Sequence, residues 1–209
     1  VNNMGRMKDK YFNEINSDDD GNGEFEDQSE LNYWRKIAEK YIHDAFLTEM
    51  ESVWSGYEIE EGENLSDMEC AKIVIKSKAF FKAIWHASTE ILPKLEVQVV
   101  LDGSAKIFVT TGSSGYVEFG LQPPIGLKLP IKCWIHTHPF ASAYFSGTDW
   151  MTVGNWKSLM EEAYVLGGVE HYGHWVNTKP NNLLIRWVDN NGLETFKVQQ
   201  QRQIEGEEE

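Results

Sequence analysis

Two histidines one residue apart, His136 and His138, stand at the end of an apolar run, and Pro139 follows them directly. The run, from Gly126 to Trp134, reads as a strand that carries on into the histidines. Side chains at i and i+2 of a strand share one face. Both imidazoles therefore point one way and Thr137 points the other. Proline has no N–H to give to a ladder, so the strand is expected to stop at Pro139. A short loop follows, and Gly147-Thr148-Asp149 opens a helix. A carboxylate at that position can return toward both rings. Two imidazoles and one carboxylate suit Zn²⁺ with one position left for water. One H-x-H pair alone is a weak sign of a metal, because structural histidines are common.

The longer string, His136-x-His138-Pro139, six residues, Ser146-x-x-Asp149, is far more specific. It resembles the signature of the JAMM (MPN+) zinc metalloprotease family, and it is complete over that signature. The resemblance implies that His136, His138 and Asp149 hold one zinc ion. It implies that Ser146 supports the transition state and that a glutamate on an earlier strand activates a zinc-held water. Three glutamates are candidates: Glu90, Glu96 and Glu118. Glu96 is chosen. It opens the apolar strand Leu95 to Leu101, where a carboxylate has no packing value, and in the family this glutamate begins the strand after the first helix. Glu118 comes too late for that layout, and Glu90 falls in a last helical turn facing solvent. An exposed strand-end glutamate is the plainer alternative for Glu96. For Ser146 the plainer role is a helix cap, and the two roles are compatible.

Charge narrows the partners. With 19 Lys and Arg against 33 Asp and Glu, the net charge is −14. Phosphate backbones and anionic membrane surfaces both call for Lys and Arg, so neither nucleic acid nor membrane is expected. The acidity gathers in residues 14–30, 58–69 and 205–209, which read as solvated segments. The two cysteines, Cys70 and Cys133, suit a reducing compartment better than a disulfide scaffold. Cys133 lies on the opposite pleat face from His136 and is expected to pack as a small apolar residue. Val1 to Arg6 carries no apolar signal region, and no apolar run has the ~18 residues of a membrane helix. The expected location is the cytoplasm.

Along the chain, Asp18 to Phe25 resembles the start of an EF-hand calcium loop, but Ser29 stands where the bidentate carboxylate is needed. Calcium is the disfavoured reading there, and an acidic linker is the default. A helix is predicted over 29–54, started by Asp27 with Glu30. Its face of Leu31, Trp34, Ile37, Ala38, Tyr41, Ile42, Ala45, Phe46, Met50 and Val53 needs a cover, either the flank of the following domain or a second copy or partner. Residues 71–76 read as a strand, and Ser77 caps a helix from Lys78 to Ile91. Strands follow at 95–101, 106–110 and 116–121. After Asp149 a helix is predicted over 150–164. Gly168 to Trp175 reads as a strand, and its His171 and His174 are expected to be core or edge residues, since no carboxylate or cysteine spacing supports a second metal. Strands at 183–188 and 193–198 are joined by the hairpin turn Asp189 to Gly192.

The expected organisation is an acidic, partly helical N-terminal extension over 1–68, a catalytic domain over 69–200 and an acidic tail over 201–209. The fold class is α/β, a mixed curved sheet sandwiched by helices. This is also the JAMM/MPN, cytidine-deaminase-like layout, and the resemblance covers about residues 71–200. The function it implies is metal-dependent hydrolysis of an isopeptide or peptide bond, with a ubiquitin-like protein or peptide as substrate. The long insertions of eukaryotic members are absent, which favours a minimal enzyme acting on a small modifier. Two alternatives stay open: a phage-tail or cell-wall peptidase on the same scaffold, and a non-catalytic interaction module. The loop aromatics Phe140, Tyr144, Phe145, Trp150 and Trp156 could line a peptide groove, but packing is expected for most of them.

Overall fold

A computed structural model describes residues 28–56, 65–92, 94–112, 126–140, 142–178, 182–188 and 194–200. Its centre is a seven-stranded mixed sheet. Helices α1 (Gln28–Gly56), α2 (Asp67–Val74) and α3 (Lys78–His86) come first, and α3 runs into a π-helical turn, Ala87–Ile91. Strands β1 (Val97–Leu101), β2 (Ile107–Thr111) and β3 (Cys133–Thr137) follow. Helix α4 (Gly147–Trp156) leads to β4 (Glu162–Leu166), β5 (Tyr172–Thr178), β6 (Asn182–Val188) and β7 (Glu194–Gln200). The spatial order is β2-β1-β3-β4-β5-β6-β7. Only β3 and β4 pair in parallel, and α4 is the crossover between them; every other pairing is antiparallel.

Strand alternation sorts the central strands into two faces. Val97, Val99 and Leu101 of β1, Cys133 and Ile135 of β3, and Tyr164 and Leu166 of β4 join one core with α1, α2 and α3. Val100, Trp134, Ala163, Val165 and Trp175 join the other, with Val153 and Trp156 of α4. Helices thus cover both faces, which is why β4 is buried along its whole length and is apolar from Ala163 to Leu166. Ala38, Ile42, Phe46 and Met50, each four residues on from the last, are buried along one side of α1 in the first core. The cover for the 29–54 face is therefore the flank of the sheet domain, and Arg35 of α1 also donates to the Gly112 carbonyl beyond β2.

The structure corrects four of the expected elements. Residues 71–76 are not a strand; Ser66 and Glu69 form a reciprocal capping box that starts α2, and Cys70, Ala71 and Val74 bury at helical spacing. A short apolar run has no periodicity of its own to separate the two states. The strand bearing the histidines begins at Cys133, not Gly126. Lys128 is instead drawn to the turn after β1, where its N–H donates to Asp102 Oδ2 and its carbonyl accepts from Gly103. The helix expected over 150–164 ends at Trp156, because 162–166 is claimed by pairing with β3. The strand expected over 168–175 is β5, shifted to Tyr172–Thr178. Helix 78–91 keeps its extent and its Ser77 cap, but its last turn is π-helical. Asp27, Pro93, Asp18 to Phe25, the 116–121 strand with Glu118, and the turn at Asp189 to Gly192 lie outside the described residues. No helix of the described residues is long and apolar enough to cross a membrane.

Candidate metal centre

The carboxyl end of β3 is where the chain leaves the sheet for α4, and in α/β sheets such ends are where ligand sites form. Three side chains meet there. His136 near the end of β3 and His138 directly after it project to one side, and Asp149 returns from the first turn of α4. Asp149 Oδ1 lies 3.1 Å from His136 Nε2, and Oδ2 lies 3.4 Å from His138 Nε2. One ligand atom from each of the three falls within 4.8 Å of the others, and all three residues are buried.

Local sequence fixes Asp149. Ser146 is the N-cap of α4 and its hydroxyl accepts from the Asp149 N–H at 3.2 Å, while Asp149 Oδ2 accepts from the Ser146 N–H at 2.6 Å. This reciprocal box locks the carboxylate at the positive end of the helix. Ser146 therefore does serve as the cap. A serine hydroxyl that accepts still has its own proton to donate.

The ring of His136 is stacked on Trp134, with centroids 4.5 Å apart and planes 18° off parallel. Phe145 closes on it edge-first at 6.0 Å. Trp134 is held in turn: its Nε1–H donates to Gln98 Oε1 at 2.9 Å, and Gln98 Nε2 donates to Thr110. Gln98 sits opposite His136 in the β1–β3 register. This chain of contacts orients the imidazole, as the groups behind metal ligands commonly do. Neither Gln98 nor Trp134 is among the expected site residues, although the polar pair Glu96 and Gln98, at the start of β1, repeats the two-residue spacing of the histidines.

Glu96 is buried directly before β1, with Oε1 3.9 Å from His138 Nε2. Continued by two residues, the β1–β3 register sets Glu96 opposite His138, just as Gln98 is opposite His136. The structure thus brings together Glu96, His136, His138 and Asp149, with Ser146 beside Asp149. Glu90 is exposed on the π-helical turn. Cys133 is buried on the far face. Of the loop aromatics, Phe145 and Trp156 are buried and Trp150 packs against them, whereas Phe140 and Tyr144 are about half exposed at the mouth.

The charges suit a cation. Burial would raise the Asp149 carboxyl, but the His136 and His138 imidazoles, together with Ser146, hold it well below the usual carboxylate range. Burial lowers the His136 imidazole against the pull of Asp149. Near neutral pH these two residues are therefore an anion and a neutral base, the forms that ligate metals. His136 Nδ1 and His138 Nδ1 are also buried without a hydrogen bond, and His136 Nε2 has only the Asp149 carboxylate, at 3.1 Å. A buried polar atom in that state is costly unless something else meets it. The group could hold a metal ion. Two nitrogens and a carboxylate oxygen suit zinc, and the same set serves ferrous iron. No family description, curated protein or solved structure matches the chain, so the site is read from its own chemistry.

Proposed function

We propose that the protein is a zinc-dependent hydrolase of the JAMM type that cleaves peptide or isopeptide bonds, with a ubiquitin-like protein as the substrate class. The observation that carries this reading is the buried convergence of His136, His138 and Asp149 with a second carboxylate, Glu96, 3.9 Å from His138. A site built only to store an ion has no need of that fourth group. His136, His138 and Asp149 would hold the ion, which when bound supplies Lewis acidity toward a carbonyl and makes water a better nucleophile near neutral pH.

The protein's own groups supply the rest. Glu96 takes a proton from the attacking water and returns it to the leaving amine, a transfer worth roughly 10²–10⁴-fold in rate. Ser146 turns its remaining hydroxyl proton toward the developing oxyanion. Phe140 and Tyr144 are about half exposed at the mouth and offer flat apolar surface to an extended substrate tail. Trp134, Phe145 and Trp150 keep water from the inner side.

The test pairs metal analysis with hydrolysis. Zinc-loaded protein is expected to carry about one equivalent of metal and to release a fluorophore amide from the C-terminal glycine of a ubiquitin-fold protein. Glu96→Gln is expected to retain the metal and lose the activity. Iron in place of zinc, or bound zinc with every peptide and isopeptide probe left intact, would overturn the reading.

A further inference from the structure

Thr137 lies between the two histidines but points to the other face of β3, into an apolar core. It is fully buried there against an equally buried Ser88 of the π-helical turn. Their hydroxyl oxygens are 2.8 Å apart. Ser88 Oγ donates to the Leu95 carbonyl at 2.5 Å, and Thr137 Oγ1 accepts from the Val97 N–H at 2.9 Å. Counting protons sets the remaining direction. Each hydroxyl has one proton, and that of Ser88 goes to Leu95, so Thr137 must donate to Ser88. A continuous relay runs from the Val97 N–H through Thr137 and Ser88 to the Leu95 carbonyl.

Those two ends are the backbone groups on either side of Glu96. The Leu95 carbonyl belongs to the peptide plane before its Cα, and the Val97 N–H to the plane after it. Holding both planes fixes the two soft torsions of Glu96. Gly112 adds a third anchor by donating to the Glu96 carbonyl at 2.9 Å. The relay lies where the β1–β3 ladder ends: Gln98 and His136 are its last paired residues, and one residue further on the Val97 N–H meets the Thr137 hydroxyl. The π-helical turn, marked by the Leu92 N–H bond to the Ala87 carbonyl, carries Ser88 to its place, and π-bulges of this kind recur at functional sites.

We propose that Ser88 and Thr137 are positioning residues for Glu96, setting the aim of its carboxylate from the opposite side of the sheet. This rests on Glu96 being the proton carrier of the proposed reaction. Neither hydroxyl touches the metal ligands' side of β3, so their loss disturbs Glu96 and spares the ion.

The test uses the full, zinc-loaded chain with Thr137→Val, Ser88→Ala and Thr137→Ser. Metal content is read by mass analysis, the Glu96 position by crystallography, and kinetics with the fluorophore amide above. Thr137→Val and Ser88→Ala are expected to keep about one equivalent of metal while the carboxylate shifts by about 1 Å. They are expected to lose on the order of 100-fold in kcat with KM little changed. Thr137→Ser, which keeps the hydroxyl, is expected to restore both. Should Thr137→Val fail to fold, Ser88→Ala decides, since it leaves the Val97–Thr137 bond intact. An unmoved Glu96 in the folded variants, or no rescue by Thr137→Ser, would overturn the proposal. If the wild type cuts no probe while the carboxylate still shifts, positioning stands and the hydrolase reading alone fails.

Discussion

Two histidine–carboxylate groups lie against this one sheet, one buried and one partly buried, and they differ in whether the protein completes them. In the first, Asp149 faces His136 and His138, and among the described residues no lysine or arginine balances it. In the second, Glu162 of β4 meets His174 Nε2 of β5 at 2.9 Å, is reached by Lys76 at 2.5 Å, and accepts from the Tyr164 hydroxyl. The His174 ring is also stacked on Tyr164 at 4.0 Å. The second group is closed: its anion has a cation and its imidazole a hydrogen bond. The first leaves a buried nitrogen unmet. A histidine against a buried carboxylate is common to both, so that pairing alone does not mark a site. What separates them is whether charge and hydrogen bonds are already satisfied within the chain.

The sharpest way to break this comparison is to remove a histidine from each group. His136→Ala is expected to abolish stoichiometric zinc binding, while His174→Ala retains about one equivalent, as measured by mass analysis after dialysis. Equal loss in both would mean that the two groups are not different in kind. The next largest effect belongs to Glu96→Gln. Its kcat is expected to fall by roughly 10²–10⁴-fold with metal content unchanged, in steady-state kinetics on the same probe.

Glu162→Ala strips the anion from the closed group and leaves His174 and Lys76 without it. It is expected to cost about 2–3 kcal/mol in urea unfolding, the range for breaking a partly buried pair, and to leave metal binding intact. Acid sensitivity follows from the same carboxyl. Burial would raise Glu162, but His174 and Lys76 outweigh it and hold it below its ordinary value. A depressed carboxyl contributes stability that is fully present above about pH 4.3, its unfolded value, and is lost as pH falls toward its native one. Urea midpoints measured from pH 6 down to 3 should therefore fall less steeply for Glu162→Gln than for the wild type. The smallest expected effect is that of Ser146→Ala, about 1 kcal/mol from the lost cap of α4 in thermal unfolding.

How much of this was legible beforehand differs by element. The pair at His136 and His138 was, because a two-residue spacing has one meaning in a strand. So was Asp149 at a helix start, since Ser146 and Asp149 stand at the spacing of a cap. The helix over Gln28–Gly56 was evident in its four-residue apolar recurrence. Helix α2 was missed although Ser66 and Glu69 announce it, because residues 71–76 look equally apolar in either state. The end of α4 was missed because nothing local stops a helix at Trp156; strand β4 is set by its pairing with β3. The carboxylate partner of His174 was also out of reach, since Glu162 comes from the neighbouring strand.

The sequence by itself determined the donors: which residues carry imidazole and carboxylate, and, through strand and helix periodicity, which way His136, His138 and Asp149 turn. Those are consequences of local geometry, and local geometry is written in spacing. Only the tertiary structure decided that Glu96 comes within 3.9 Å of His138, which histidine is already satisfied, and that buried hydroxyls at Ser88 and Thr137 hold the backbone around Glu96. Each of these joins segments distant along the chain, and register between strands is fixed by packing of the whole sheet and not by any one stretch of it.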